Sequence, residues 1–119
     1  MSGTIKKNFD DPEEVRNVPK ARIEIVNLGS TQAMRCTFEP GWKWSECVKP
    51  IAGTDSCEVS HMGFMVSGDM TVRMDDGTEF RFKPGDAATI PPGHDAWING
   101  SEPCVFVDFQ GAATYAKAG

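Results

Sequence analysis

Residues 85–93 read GDAATIPPG and place a short apolar strand between two turns. On the N-terminal side, residues 83–86 (KPGD) are typical of a turn. On the C-terminal side, Pro91 and Pro92 fix the backbone angle φ and remove two donors that a sheet would need. Gly85 and Gly93 permit turn conformations that other residues resist. The segment therefore predicts a strand over residues 87–90 with a turn at each end.

The same alternation of short strands and turn residues continues in both directions along the 119-residue chain. Asp76-Gly77 is a strong hairpin signal, and alternating apolar residues mark strands on either side of it. Strands are predicted over residues 21–28, 32–39, 42–48, 57–67, 70–74, 80–82, 87–90, 95–98 and 104–110. About nine short strands, with no amphipathic helix of useful length, predict an all-β sandwich or barrel.

The charge composition limits the partners. Twelve Lys and Arg residues stand against 17 Asp and Glu, which gives a net charge of −5 and an isoelectric point near 4.9. Because an acidic surface repels a phosphate backbone, we expect no nucleic-acid binding. No apolar run approaches the length of a membrane span, and no apolar stretch follows Lys6 and Lys7 as in a secretory signal. We therefore expect a single-domain cytoplasmic protein without membrane contact.

The chain has four cysteines, Cys36, Cys47, Cys57 and Cys104. Their even number would allow two disulfides, but the sequence has no CxxC pair and no export signal. We therefore expect reduced thiols, and the absence of close pairs excludes a cysteine-rich zinc knot.

The segment 85–93 resembles the second motif of the cupins, G-x5-P-x-G, and residues 68–86 resemble the region between the two cupin motifs. The resemblance covers about residues 32–110. It implies a small single-domain cupin whose fold is a double-stranded β-helix, a jelly roll of two packed antiparallel sheets around a cavity. On this basis we expect a short polar N-terminal arm over residues 1–20, a barrel over 21–111 and a C-terminal tail over 112–119.

The metal motif of the cupins is altered in this sequence. When Gly68 is aligned with the last glycine of the first motif, the position of the metal-binding glutamate falls on His61. The histidine of the second motif falls on Ala96, and His94 stands two residues earlier. Since these are the only histidines in the chain, one subunit cannot supply a site of three histidines. The resemblance therefore implies a metal site with a changed set of ligands.

Two sets of ligands remain open. His61, His94 and Cys57 would form a soft site suited to zinc. The two histidines with Asp55, Glu46 or Glu58 would suit iron(II) or another divalent ion, such as manganese. Because side chains alternate along a strand, Cys57 and His61 share a face. A nucleophilic Cys57 with His61 as its base is disfavoured, because four residues of strand separate their Cα atoms by about 13 Å.

Aromatic residues near the predicted barrel mouth could line a cavity for a small organic ligand. The candidates are Trp44, Phe64 and Trp97, with Glu46 beside them. The prediction is a barrel that binds a divalent metal, with zinc favoured, and a small molecule, and that could act as a metal-dependent enzyme. The alternative is a cupin module that binds a ligand or partner without metal or catalysis. Small cupins often pair, so we expect a homodimer, to which the arm could add a strand.

Overall fold

A computed structural model describes residues 3–117 of the chain. Within these residues the protein has nine strands, two short helices, α1 (Trp44–Cys47) and α2 (Lys49–Ala52), and a 3-10 turn at Gly111–Ala113. The strands are β1 (Glu14–Val18), β2 (Ala21–Asn27), β3 (Gln32–Phe38), β4 (His61–Ser67), β5 (Met70–Met74), β6 (Glu79–Phe82), β7 (Ala87–Ile90), β8 (His94–Ile98) and β9 (Cys104–Asp108).

The strands form two antiparallel sheets. The larger has the order β1-β2-β3-β9-β4-β7, and the smaller has the order β6-β5-β8. Side chains from both sheets form one apolar core, which includes Met34 and Phe106 from the larger sheet and Val72 and Ala96 from the smaller. This arrangement is the double-stranded β-helix predicted from the sequence, and it leaves a cavity between the sheets.

The turns around β7 form as the sequence predicts. Residues 87–90 are the strand, and Gly85 and Gly93 have φ angles of 91° and 94°, which lie in the left-handed region that favours glycine. Gly93 directly precedes β8, so this turn fixes where His94 enters the barrel.

The strand predicted over residues 42–48 is wrong, because this segment forms α1 and leads into α2. Trp44, Cys47 and Val48 are buried while Glu46 is exposed, a spacing of three and four residues that fits a helix rather than a strand. Pro50 lies in the first turn of α2, and Gly53 ends that helix in the left-handed conformation. The apolar run is too short for its helical period to be recognised in the sequence.

Strand β1 and the segment around Tyr115 belong to the folded body. Part of the expected N-terminal arm is strand β1, which pairs with β2 of the same chain from Glu14↔Ile25 to Val18↔Ala21. The Nη1 atom of Arg16, on β1, donates a hydrogen bond of 2.7 Å to the carbonyl oxygen of Tyr115. This bond ties the N-terminal strand to the segment that follows β9.

All four cysteines are buried and none forms a disulfide. Within residues 3–117, no helix has the length and apolar character that crossing a membrane requires.

Candidate metal centre

Side chains from both sheets and from the segments beside them line a cavity in the core. Its volume is about 40 Å³, and since one water molecule needs about 10–15 Å³, it has room for about three. The lining residues are Met34, Cys36, Phe38, Trp42, Trp44, Cys57, His61, Met70, Val72, Ile90, His94, Ala96, Phe106, Asp108 and Tyr115. The wall is mainly apolar, with a small group of polar side chains.

His61, the first residue of β4, is held by a buried carboxylate. Its Nδ1 atom donates a hydrogen bond to Oδ2 of Asp108. The opposite ring atom, Nε2, lies 3.8 Å from Sγ of Cys57. Because a carboxylate accepts the Nδ1 proton, Nε2 of a neutral His61 carries a lone pair.

Asp108, at the end of β9, is 0% exposed, and both oxygens of its carboxylate accept hydrogen bonds. Oδ1 accepts hydrogen bonds from the backbone N–H groups of Met62, Gln110 and Gly111 at 3.2, 2.8 and 3.1 Å. Burial by itself would raise the pKa of Asp108, but the hydrogen bond from His61, the charge of that ring and the backbone donors outweigh it, so the pKa is lowered. The carboxylate is therefore ionised at neutral pH.

His94, the first residue of β8, is oriented by the turn before it. Its Nδ1 atom donates a hydrogen bond of 2.8 Å to the carbonyl oxygen of Pro91, which leaves the lone pair of the neutral ring on Nε2. Burial and the nearby His61 lower the pKa of His94 to about 4, against weaker opposing effects of Pro91 and two carboxylates. His94 is therefore neutral at pH 7, the form that binds metal ions.

Cys57 lies closer to His61 than a continuous strand would allow. Residues 57–60 are not part of β4, and Cys57 instead pairs with His94 through an isolated antiparallel bridge, its N–H donating to the His94 carbonyl at 2.7 Å. Because Sγ of Cys57 lies only 3.8 Å from Nε2 of His61, the chain between the two residues is not fully extended, and the separation of about 13 Å does not apply.

Cys57, His61 and His94 form a cluster that could hold a metal ion. One donor atom from each residue lies within 4.8 Å of the others, and all three residues are buried. Two hydrogen bonds fix the imidazoles in the tautomer with Nε2 free, and a thiol completes the set. The residues present therefore fit a tetrahedral ion with an open fourth position.

Cys57, His61 and Asp108 also resemble the nucleophile, base and orienting residue of thiol enzymes. Burial, however, is the main cause that raises the pKa of Cys57 to about 12. The metal-free thiol is thus protonated at neutral pH, which disfavours its action as a nucleophile.

The carboxylates considered as third ligands lie elsewhere. Asp55, Glu46 and Glu58 are all exposed, and Asp55 lies 3.8 Å from Nζ of Lys49. Within residues 3–117, Cys57, His61 and His94 form the one cluster of three such side chains close enough to share an ion.

Of the four residues predicted to line the ligand cavity, the structure places one there. Trp44 lines the cavity, but Glu46, Phe64 and Trp97 do not. Glu46 lies on the outer side of α1. Phe64 alternates with the inward-facing Met65 and is 39% exposed, and Trp97 alternates with the buried Ala96 and has Nζ of Lys43 over its ring.

Two residues of the site, Asp108 and Tyr115, are not predicted from the sequence. An acidic residue in the apolar stretch CVFVDF was a usable signal, because a buried carboxylate needs a partner. Tyr115 lies in the predicted tail, and its ring meets the ring of His61 edge-on at 5.3 Å between centroids. No local pattern marks that contact.

Comparisons with known proteins agree with the fold. Residues 33–106 match the model of the family described as EutQ-like cupin domain. None of the curated proteins compared with the chain matches its sequence.

Three solved structures illustrate the likeness. A sugar phosphate isomerase of the cupin superfamily from Silicibacter pomeroyi superposes with a TM-score of 0.66 at 20% identity, covering 90% of this chain and 75% of its own. KdgF from Halomonas sp. has a TM-score of 0.58 at 22% identity, with coverages of 82% and 84%. A putative ethanolamine utilization protein Q from Salmonella typhimurium has a TM-score of 0.54 at 15% identity, with coverages of 78% and 70%.

Proposed function

Since this chain belongs to the family of EutQ-like cupin domains, we propose that its barrel holds one divalent metal ion and binds a small organic ligand beside it. The observation that carries the proposal is the convergence of Cys57, His61 and His94 on one point of a buried cavity. The bonds from His61 to Asp108 and from His94 to Pro91 support it, because each directs a lone pair away from its own acceptor.

Zinc suits this set of donors best. A thiolate and two imidazoles are the softer ligands that zinc accepts in a tetrahedral site, whereas iron(II) and manganese favour oxygen donors that the cluster lacks. Three protein ligands leave a fourth position for water or ligand, and an ion held there would polarise a carbonyl or lower the pKa of bound water. The protein could in this way act as a metal-dependent enzyme.

The chain's own residues have distinct tasks in this proposal. Cys57 loses its thiol proton when it becomes a ligand, since a coordinating sulfur is a thiolate. Asp108 orients His61 and increases its basicity as a donor. The apolar wall, with Trp44 and Phe106, excludes bulk water and limits the ligand to a few heavy atoms.

The test is the metal content of purified, untagged protein, measured by mass spectrometry beside the variants Cys57→Ser, His61→Ala and His94→Ala. We expect close to one ion per chain in the wild type and its loss in the histidine variants. Cys47→Ser is the matched control, because Cys47 is buried but does not line the cavity. Loading with cobalt(II) adds a thiolate-to-cobalt absorption that should be absent from Cys57→Ser.

A wild type that stays empty after incubation with zinc, iron(II), manganese and nickel would overturn the metal site. The alternative, a barrel that binds its ligand without metal, would then be favoured. The same cavity supports that alternative, since its apolar lining does not depend on an ion.

We also propose that the protein is a homodimer that pairs through the outer face of β4. Met62, Phe64 and Val66 alternate on that face and are 47%, 39% and 49% exposed. Phe109 extends the patch, because its N–H bonds to the carbonyl of Met62 and its side chain is also exposed. A contiguous apolar patch is typical of an interaction surface. The arm exchange considered from the sequence lacks support here, since β1 pairs within its own chain.

A further inference from the structure

Trp42 is a buried donor without a partner. The residue is 1% exposed, and its indole Nε1 is the buried side-chain nitrogen or oxygen that lacks a hydrogen bond among residues 3–117. An indole N–H can only donate, so no other arrangement of its proton satisfies it. Buried polar groups in proteins almost always have a partner, and an exception calls for an explanation.

Trp42 belongs to the wall of the metal cavity. Trp42 lines the same cavity as Cys57, His61 and His94. Its ring packs against Phe38 with centroids 4.2 Å apart, and its backbone is held on both sides, by a bond to the carbonyl of Glu39 and by one from the N–H of Ile98. The indole is therefore fixed before any ligand arrives, which reduces the entropy lost on binding.

The rest of the lining limits what such a ligand can be. The wall contains no Lys or Arg, and its one carboxylate, Asp108, already accepts four hydrogen bonds. When a metal ion occupies Nε2 of both histidines, a ligand with donor groups would find few free acceptors, whereas a ligand with an acceptor oxygen could accept a hydrogen bond from the unpaired N–H of Trp42. The small volume and the apolar remainder of the wall favour a compact, mainly hydrocarbon body.

We propose that Trp42 is a ligand-positioning residue whose Nε1–H donates a hydrogen bond to a carbonyl or carboxylate oxygen of a short-chain compound in the cavity. The inference rests on the proposed function for the presence of a small ligand there, and it names the chemical class of that ligand. A carboxylate and a neutral carbonyl both offer an acceptor oxygen. The two ligand classes can be distinguished because a hydrogen bond to the charged carboxylate is stronger.

The experiment follows the indole N–H signals by ¹⁵N NMR in zinc-loaded and metal-free protein. The chain has three tryptophans, Trp42, Trp44 and Trp97, and single substitutions to Phe assign the three signals. Propionate, acetone and propylamine serve as the carboxylate, neutral carbonyl and donor probes. We expect the Trp42 proton to move downfield with propionate or acetone and to remain in place with propylamine, while the Trp97 signal stays unchanged.

Trp42→Phe keeps an aromatic ring and removes the donor. We expect it to weaken binding roughly ten-fold or more for propionate if the carboxylate is the partner, and only a few-fold for acetone, because bonds to charged groups are stronger. Trp97→Phe is the matched control, since it removes the same N–H group from a tryptophan that does not line the cavity. If Trp42→Phe does not fold, the wild-type titration decides by itself, with Trp42 assigned from the other two variants.

The outcomes separate this inference from the proposed function. Two results would overturn the role of Trp42 and leave the metal site intact. The first is a Trp42 signal that does not shift when propionate or acetone is added to zinc-loaded protein. The second is equal affinity of the wild type and Trp42→Phe for these compounds. Protein that takes up no metal overturns the metal site, and the metal-free titration then tests Trp42 on its own.

Discussion

Nδ1 of His61 donates a hydrogen bond to Oδ2 of Asp108 in the interior of the barrel, across 47 positions of sequence. The other oxygen of the same carboxylate accepts three backbone N–H groups. Asp108 therefore fixes the orientation of the His61 ring through Nδ1 and leaves Nε2 facing the thiol of Cys57. Several properties of the candidate site follow from this bond.

Asp108→Asn should weaken metal binding about 10- to 100-fold, as loss of a carboxylate behind a histidine ligand typically does. Four N–H donors point at the Asp108 carboxylate, so the NH₂ group of Asn either faces a donor or forces His61 to change tautomer, and the free energy of unfolding should fall by about 1–3 kcal/mol. Chelator competition and thermal unfolding measure the two effects, with Asp76→Asn at the exposed β5–β6 turn as the control.

The same variant has a readout that needs no metal. In the wild type, the ¹⁵N shifts of His61 should show the proton on Nδ1, and in Asp108→Asn a mixture of tautomers. Identical shifts in both proteins would show that Asp108 does not fix the ring.

Gly111→Ala should disrupt the site without changing a polar group. A Cβ atom at Gly111 would lie 2.8 Å from Nδ1 of His61 and 2.9 Å from Oδ2 of Asp108, so the hydrogen-bonded pair must shift. We expect a lower melting temperature and weaker metal binding. Gly3→Ala is the control, because nothing lies within 4 Å of its added Cβ. Unchanged affinity in Gly111→Ala would contradict this packing.

Metal binding should release a proton from Cys57. Burial raises the pKa of its thiol to about 12, so the thiol is protonated at neutral pH, whereas His94, with a pKa near 4, is already neutral. The logarithm of the apparent affinity should therefore rise by about one per pH unit between roughly pH 7 and 9. Titrations at several pH values test this, and the slope should be much smaller in Cys57→Ser. A flat profile in the wild type would exclude Cys57 as a ligand.

Neutral His94 should make the metal-free protein sensitive to acid. Its pKa is about 4 when folded and near 6.5 when unfolded, so between these values the unfolded chain binds more protons. Stability is therefore complete above about pH 6.5, falls as the pH approaches 4, and loses nothing further from this residue below that. The shift corresponds to a loss on the order of 3 kcal/mol. Urea unfolding of wild type and His94→Gln measures it, and parallel pH profiles would refute it.

Phe64→Lys should separate the proposed homodimer. Phe64 is exposed at the centre of the β4 patch, so a charge there should disfavour association while leaving the cavity intact. Light scattering after gel filtration should give the mass of a dimer for the wild type and a monomer for the variant. Glu79→Lys, at an exposed site on β6 of the other sheet, serves as the control. A monomeric wild type at all concentrations would end the proposal.

Much of the fold could be predicted from the sequence, because the patterns that indicate strands and turns lie within short stretches of residues. Alternating apolar residues predict strands, and the pattern at Gly85, Pro91 and Gly93 predicts the turns around β7, which the structure confirms. The failure at residues 44–52 has the same origin, since a helix of one turn is too short to display its period clearly. Strand β1 escaped notice because its residues are mostly polar.

The same distinction applies to the candidate site, where some residues could be identified from the sequence and others only from the tertiary structure. With only two histidines in the chain, the sequence alone identified His61 and His94 as the imidazoles available and excluded a site of three histidines. It could not show that the backbone leaves the strand between Cys57 and His61, or that pairing of β4 with β9 places Asp108 behind His61. Nor could it show that Trp42 has a buried N–H without a partner. Those relationships join residues far apart along the chain, so they arise only when the two sheets pack and remove the side chains from water.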